Sequence, residues 1–258
     1  MNAIHIAAAL EEIAPVELQE SWDNSGFSVG NPRREVKSAI LALDCTPEVV
    51  EEAIRSGADM IITHHPLIFK GIKRITESNN LEKMVASLIK NDIIVYSAHT
   101  NIDKVMCGVS GVMADKIGLK DREILSVDSN EMTGLGIVGD LISETDPADF
   151  VRYVKSIFGA QVVRCSKLLD RPVKRVALCG GSGASLIESA RSKGAQVYIT
   201  GDISYHNFFC EDGFMLMDIG HFESESGVLE VMAAILRKKL PTFAVRKSDN
   251  NNNPIYYY

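Results

Sequence analysis

The chain has 258 residues, of which 46 % are hydrophobic and 24 % charged, and its formal net charge is −7 at pH 7. That length and apolar content supply a buried core for one large domain or two modest ones, which excludes a disordered chain. The negative balance, with no basic stripe along the sequence, argues against nucleic acid as a partner.

Cys45, Cys107, Cys165, Cys179 and Cys210 are odd in number and form no C-x-x-C pair. They read as reduced thiols in a cytoplasmic protein. No apolar run approaches the length of a bilayer span, so no membrane partner is expected.

In chain order, residues 1–15 read as a short amphipathic helix carrying His5, without the basic region of a signal peptide. Ser21-Trp22-Asp23-Asn24-Ser25-Gly26 follows, with the single tryptophan. This run either sets Asp23 or Asn24 against a substrate or simply anchors a turn. Residues 38–43 read as a buried strand ending at Asp44, a carboxylate placed to touch a substrate or to accept a hydrogen bond from a ligand. The next helix has Thr46 as N-cap, Pro47 at its first position and Gly57 just past its end, with Val49, Val50, Ala53 and Ile54 as its apolar stripe. Residues 59–63 form a further strand that delivers His64 and His65 at its tip, where open α/β sheets place their ligands.

Further along, residues 131–141 read as a strand pair, and Asp146-Pro147 opens another helix. A strand at 175–178, a tight Cys179-Gly180-Gly181-Ser182-Gly183 turn, a helix at 184–193 stopped by Gly194 and a strand at 196–200 then repeat the earlier phrase. The glycine turn resembles a phosphate cradle at Gly181 and Ser182, yet it lacks the Gly-Lys-Ser/Thr ending of a P-loop and serves equally as a plain turn. His206 sits among aromatic residues as a packed or rim side chain. Residues 227–236 form a helix closed by Arg237-Lys238-Lys239, cations suited to the negative end of its dipole. The polar tract at residues 250–253 and the tyrosines Tyr256, Tyr257 and Tyr258 pack back onto a lobe, the first in this reading, or onto a neighbouring subunit.

Gly57-Ala58 matches Gly194-Ala195 and Ile62-Thr63 matches Ile199-Thr200 at one common offset, and the His99 and His221 segments match at a shorter one. These matches predict an α/β chain of two similar lobes from an internal duplication, lobe one at about residues 1–125 and lobe two at about 126–258.

Four histidines stand at strand ends. His99 precedes Asp103 and His221 precedes Glu225 at the same His-x-x-x-acid spacing, and Thr63-His64-His65-Pro66 ends a third strand. Imidazole and carboxylate suit zinc, manganese, iron, cobalt or nickel. Neighbours on an extended chain point to opposite sides, so His64 and His65 suggest two ions, one per ring, completed by Asp103, His221 and Glu225 if the lobes face each other. A bridging carboxylate between ions about 3.5–4 Å apart is the recurring hydrolytic arrangement. His99 either ligates, as its match to His221 implies, or carries a proton beside the ligands, which is the reading preferred. The plainer alternative is that the His pair caps a turn before Pro66.

Taken together and in order, Trp22-Asp23-Asn24-Ser25-Gly26, Leu43-Asp44-Cys45-Thr46, Thr63-His64-His65-Pro66, His99-Thr100-Asn101-Ile102-Asp103, Cys179-Gly180-Gly181-Ser182-Gly183 and Gly220-His221-Phe222-Glu223-Ser224-Glu225 closely resemble the Nif-three-like family. Its members go by the name GTP cyclohydrolase 1 type 2 homologues, and the resemblance covers about residues 1–250. It implies one family unit of two α/β lobes with a dinuclear metal site in the cleft between them, assembled as a homohexameric ring. By the same resemblance His64, His65, Asp103, His221 and Glu225 are the ligands, with Glu225 touching both ions. The stretch at about 120–171 is too short for the extra domain that some relatives carry.

The expected function is a metal-dependent hydrolase for a small nucleotide-like or phosphoester substrate. His99 and Glu225 would be catalytic, and Asp23, Asn24, Asp44, Gly181 and Ser182 would contact the substrate. A metal-binding regulatory or scaffold ring without catalysis is the rival.

Overall fold

The structure is a computed structural model that describes residues 1–129 and 132–258. The chain forms two compact units, one of Met1–Ile102 with Val228–Asn252, the other of Asp103–Gly227 with Asn253–Tyr258.

The first unit opens with α1 (Ala3–Glu11), capped by Asn2, and β1 (Gly26–Val29). Then come β2 (Ser38–Ala42), α2 (Pro47–Ser56), β3 (Met60–Thr63), α3 (Asn80–Lys90), β4 (Ile94–Ser97) and the single turn α4 (Thr100–Asp103). The boundary signals of α2 are realised, whereas Ile54, expected in its apolar stripe, is exposed. The Thr46 hydroxyl accepts from the Val49 amide, Pro47 occupies the first turn and Gly57 closes the helix in the left-handed conformation. Val49, Val50 and Ala53 of α2 and Val85 and Leu88 of α3 pack on Ile40, Ile61 and Val95 of the three strands. β2, β3 and β4 run parallel, so their carboxyl ends fall on one edge of the sheet.

The second unit holds α5 (Val109–Ile117), β5 (Lys120–Val127), β6 (Gly134–Thr145), α6 (Pro147–Phe158) and β7 (Arg164–Cys165). It continues with β8 (Val173–Ser182), α7 (Ile187–Ser192), β9 (Val197–Gly201), β10 (Met215–Asp218) and α8 (His221–Glu225). Its sheet has the order β5-β6-β8-β9-β10-β7. Both faces are covered, as the alternation of side chains requires. Ile199, Met215 and Met217 join Phe150, Val154 and Met113 on one face, while Tyr198 and Leu216 join Leu186, Ile187 and Ala190 on the other.

The chain then returns to the first unit through α9 (Val228–Lys239) and β11 (Ala244–Lys247). β11 pairs in parallel with β2, which gives the order β1-β4-β3-β2-β11. The run β2-β3-β4 in one sheet and β8-β9-β10 in the other share parallel direction and neighbour order, the architecture of a duplicated α/β lobe.

Several expectations change. Residues 103–125 go with the second unit, because β5 pairs antiparallel with β6 and α5 packs in the core over β8. The segment at 131–141 is not a hairpin. Its residues 134–141 lie in the single strand β6, which pairs antiparallel with β5 on one side and β8 on the other, and their glycines mimic turn signals inside a strand. Glu131, at its start, lies outside the described residues. The tight turn expected at 179–183 is the end of β8, followed by a 3₁₀ turn at Ala184–Leu186. His5 and His206 are exposed, the latter in ring contact with Tyr205 and Phe209. No helix among the described residues is long and apolar enough to cross a membrane.

Candidate metal centre

In the first unit, backbone pairing carries on one step past the strand ends. The amide of His64 donates to Ala42 O at 3.3 Å, that of His65 to Leu43 O at 2.9 Å and that of Ala98 to Thr63 O at 2.9 Å. The Thr63 hydroxyl donates to His65 O at 2.7 Å and meets Ser97 Oγ at 2.8 Å, so the bend that carries both imidazoles is held from below.

Each imidazole is then fixed through Nδ1. His64 Nδ1 meets Ala98 O at 2.9 Å, His65 Nδ1 meets Asp44 Oδ1 at 2.8 Å and His99 Nδ1 meets Asp23 Oδ1 at 2.7 Å. A carbonyl or an ionised carboxylate only accepts, so the ring proton sits on Nδ1 and the lone pair on Nε2. Ring centroids are 4.9 Å apart for His64 and His65, 5.2 Å for His64 and His99, and 5.4 Å for His65 and His99. Donor atoms of the three rings lie within 4.8 Å of one another.

This corrects the expected divergence of His64 and His65. Side chains alternate only along an extended strand, and β3 ends at Thr63, so the bend turns both rings the same way. It also brings His99 into the group as a full third member.

Asp23 was expected against a substrate, but its side chain is wholly enclosed. Besides His99 it accepts from Thr100 N at 3.1 Å, Thr100 Oγ1 at 2.5 Å, Ser25 Oγ at 2.9 Å and Asn24 N at 2.6 Å. Burial alone would raise its pKa; hydrogen bonds from His99, Thr100 and the Asn24 amide outweigh that and hold it well below the usual carboxylate range. Its place is to orient His99. Asn24 is exposed and donates from Nδ2 to Ile68 O at 2.6 Å. Asp44 is the partner of His65, one of the two roles open to it.

In the second unit, Asp202 follows β9 and His221 opens α8 after β10. His221 Nδ1 meets Asp202 Oδ2 at 2.7 Å, and Nε2 meets Glu225 Oε2 at 2.9 Å, one helical turn on. Two carboxylates therefore address the two nitrogens of one ring. A protonated imidazole satisfies both, and so does a neutral one whose Nε2 shares a cation with Glu225. Glu225 is only 4 % exposed. It lies over Gly181, where φ is +63° and an added Cβ would come 2.1 Å from Glu225 Oε1. The Gly181 amide donates to Ser224 Oγ at 2.9 Å and the Gly183 amide to Thr200 Oγ1 at 3.0 Å.

Gly181 therefore makes room for the carboxylate, and the amides of Gly181 and Gly183 are used internally rather than offered to a phosphate. Ser182 is exposed at the end of β8. Asp103, partly buried, ends α4. Burial, reinforced by the charges of Asp103 and Glu225, pushes the Cys179 thiol up to about 12, which makes it an inert neighbour rather than a nucleophile.

Two residues escaped the sequence reading. Asp202 was hinted at only by the repeat, which sets Gly201-Asp202 against His64-His65. Phe69, whose ring centroid is 6.4 Å from that of His99, gave no periodic signal.

The donor set fits a divalent ion of intermediate softness. Four imidazoles have Nδ1 engaged by oxygen, the usual outer support of a ligating histidine.

A family model described as Duf34/NIF3 (NGG1p interacting factor 3) matches residues 1–254. A Clostridium perfringens protein named GTP cyclohydrolase 1 type 2 homolog is 39 % identical over 245 residues, covering 93 % of each chain. A Lactococcus lactis protein of the same name is 36 % identical over 251 residues, covering 95 % of each. Among solved structures, a Staphylococcus aureus protein superposes with a TM-score of 0.91 at 28 % identity, over 100 % of this chain and 99 % of that one. Reduced HcgD from Methanocaldococcus jannaschii superposes with a TM-score of 0.82 at 30 % identity, over 96 % and 98 %.

Proposed function

The chain belongs to the Duf34/NIF3 family, and on that footing we propose that it is a metal-dependent hydrolase acting on a small nucleotide-like or phosphoester substrate. In this reading His64, His65, Asp103, His221 and Glu225 hold two divalent ions drawn from zinc, manganese, iron, cobalt and nickel. The observation that carries it is the common treatment of His64, His65, His99 and His221, each with Nδ1 against an oxygen acceptor, the usual outer support of a ligating imidazole.

Bound divalent ions would supply Lewis acidity and a water of lowered pKa. The chain's own groups do the rest. His99 takes up and returns a proton at Nε2, and the anionic Asp23 beneath it stabilises the imidazolium that forms. Asp44 and Asp202 keep the rings of His65 and His221 in one orientation. Glu225, seated over Gly181, keeps its carboxylate beside His221.

The name of the Clostridium perfringens and Lactococcus lactis relatives makes ring-opening hydrolysis of a purine nucleotide the first reaction to assay. The reading extends to a six-subunit ring and a cytoplasmic location. Element analysis of the purified protein, with turnover measured over a panel of nucleotides and phosphoesters, tests it. Two ions per chain and turnover of a panel member are expected. A loaded protein that keeps both ions and turns over nothing sinks the enzyme and favours a structural ring. Glu225→Gln should abolish turnover while light scattering still finds the assembly.

A further inference from the structure

Two large aromatic side chains stand in water beside the histidine trio of the first unit. Trp22 is 57 % exposed and Phe69 47 %. Their rings touch at a tilt, with centroids 5.8 Å apart, and each meets His99 edge-on, at 6.1 Å and 6.4 Å. Neither ring is carried on a loose arm. Asp23, next to Trp22, is locked by His99, Thr100 and Ser25. The Asn24 amide to Ile68 O ties that turn to the residue before Phe69. The pair is therefore positioned in advance, with apolar faces left open to solvent.

The segment after Phe69 adds charge. Lys70, Lys73 and Arg74 are all exposed and, together with Glu82, line a surface cavity of about 360 Å³. Three cations in five residues, in a chain of net charge −7, make a local site for one anionic group, too short to track a nucleic-acid strand.

We propose that Trp22 and Phe69 form a stacking site for a planar heteroaromatic ring beside His64, His65 and His99, with Lys70, Lys73 and Arg74 receiving the anionic group of the same ligand. An indole or phenyl face stacks on the π-face of any base, and an ammonium or guanidinium group answers phosphate. The inference rests on the hydrolase reading only for what happens after binding, and it selects the nucleotide-like substrate over a plain phosphoester. The plainer role for the two rings is to roof His99 against water, which predicts no affinity for a base.

The chain's one tryptophan reports on its own site. Full-length protein, chelator-stripped in one series and zinc-loaded in another, is titrated with guanosine monophosphate, guanosine and ribose 5-phosphate while Trp22 emission is followed. The nucleotide should quench saturably in both series, the nucleoside more weakly, and ribose 5-phosphate not at all. Phe69→Ala should weaken the nucleotide about tenfold, and Lys70→Ala with Lys73→Ala should narrow the gap between nucleotide and nucleoside. If Phe69→Ala does not fold, Phe69→Leu keeps the apolar bulk without the π-face and serves the same comparison.

Absence of saturable quenching by the nucleotide in stripped protein overturns the proposal. So does equal quenching by ribose 5-phosphate, or wild-type affinity in a folded Phe69 variant. Quenching that persists in a protein unable to hold zinc, manganese, iron, cobalt or nickel leaves the stacking site standing and removes the hydrolase reading instead.

Discussion

His99 donates from Nδ1 to Oδ1 of Asp23 at 2.7 Å, and this contact ties the imidazole trio to the turn that carries Trp22. Asp23→Asn removes the charge under the ring and swaps one acceptor oxygen for a donor, so the amide and hydroxyl of Thr100 compete with His99 for what remains. Turnover should fall roughly 10–100-fold, the usual cost of losing the support behind an active-site imidazole. The fold should persist with a lower melting temperature. Steady-state kinetics beside circular dichroism checks this; wild-type kcat in the variant would show that the contact only holds the turn.

Gly181 is where backbone and carboxylate come closest. Gly181→Ala forces an L side chain to φ +63° and drives its Cβ into Glu225 Oε1 and His221 Cε1. Gly194→Ala is the matched control, because Gly194 also has a positive φ of +74° but its Cβ would meet nothing within 4 Å. Both variants should lose about 1–2 kcal/mol from the left-handed backbone. Only Gly181→Ala should also lower the metal content. Element analysis and thermal melting of the pair separate strain from displacement, and equal metal content in both would count against Glu225 as a ligand.

Acid should strip the ions before it unfolds the chain. An imidazole binds metal only through a deprotonated nitrogen, so protons and ions compete for the same atom. Metal content should therefore fall between about pH 7 and about pH 5. Dialysis at stepped pH followed by element analysis reads it directly. Both ions retained well below about pH 5 would argue for carboxylate or thiolate ligation instead.

How far the chain could be read beforehand follows the range of the interactions. α2 was legible because Thr46, Pro47 and Gly57 act within one helix, and α6 because Asp146 caps its own first turn. The strand ends at His64, His99 and His221 were legible for the same local reason. β11 was not: its partner β2 lies at the other end of the chain, and a strand with mostly exposed residues shows no burial pattern. The glycines of β8 hid a strand by resembling a turn, and their use, giving Glu225 a place to lie, depends on a helix far along the chain. The approach of His64 to His65 was missed because alternation was carried one residue too far.

The return of the chain to the first unit is secured by Glu52, and that makes its stability sensitive to acid. This carboxylate of α2 is 2 % exposed and accepts from Ser248 Oγ at 2.5 Å, Asn250 Nδ2 at 2.9 Å, Asp249 N at 3.2 Å and the Arg246 guanidinium. Burial raises its pKa, but the bonds from Ser248, Arg246, Asn250 and Asp249 together overcome that and hold it at about 2, against an ordinary 4.5. Above 4.5 the carboxylate is ionised in folded and unfolded chains alike, and its whole contribution is present. Between 4.5 and about 2 the unfolded chain takes up a proton that the folded chain refuses, so stability drains away as the pH falls. At full extent the linkage is worth roughly 3 kcal/mol. Glu52→Gln should therefore be less stable than the native chain by about 2–3 kcal/mol near pH 7, with the gap closing on acidification through that window. Denaturant unfolding at stepped pH measures it, and a gap that stays constant with pH would mean that shape, not charge, holds Ser248 and Asn250 in place.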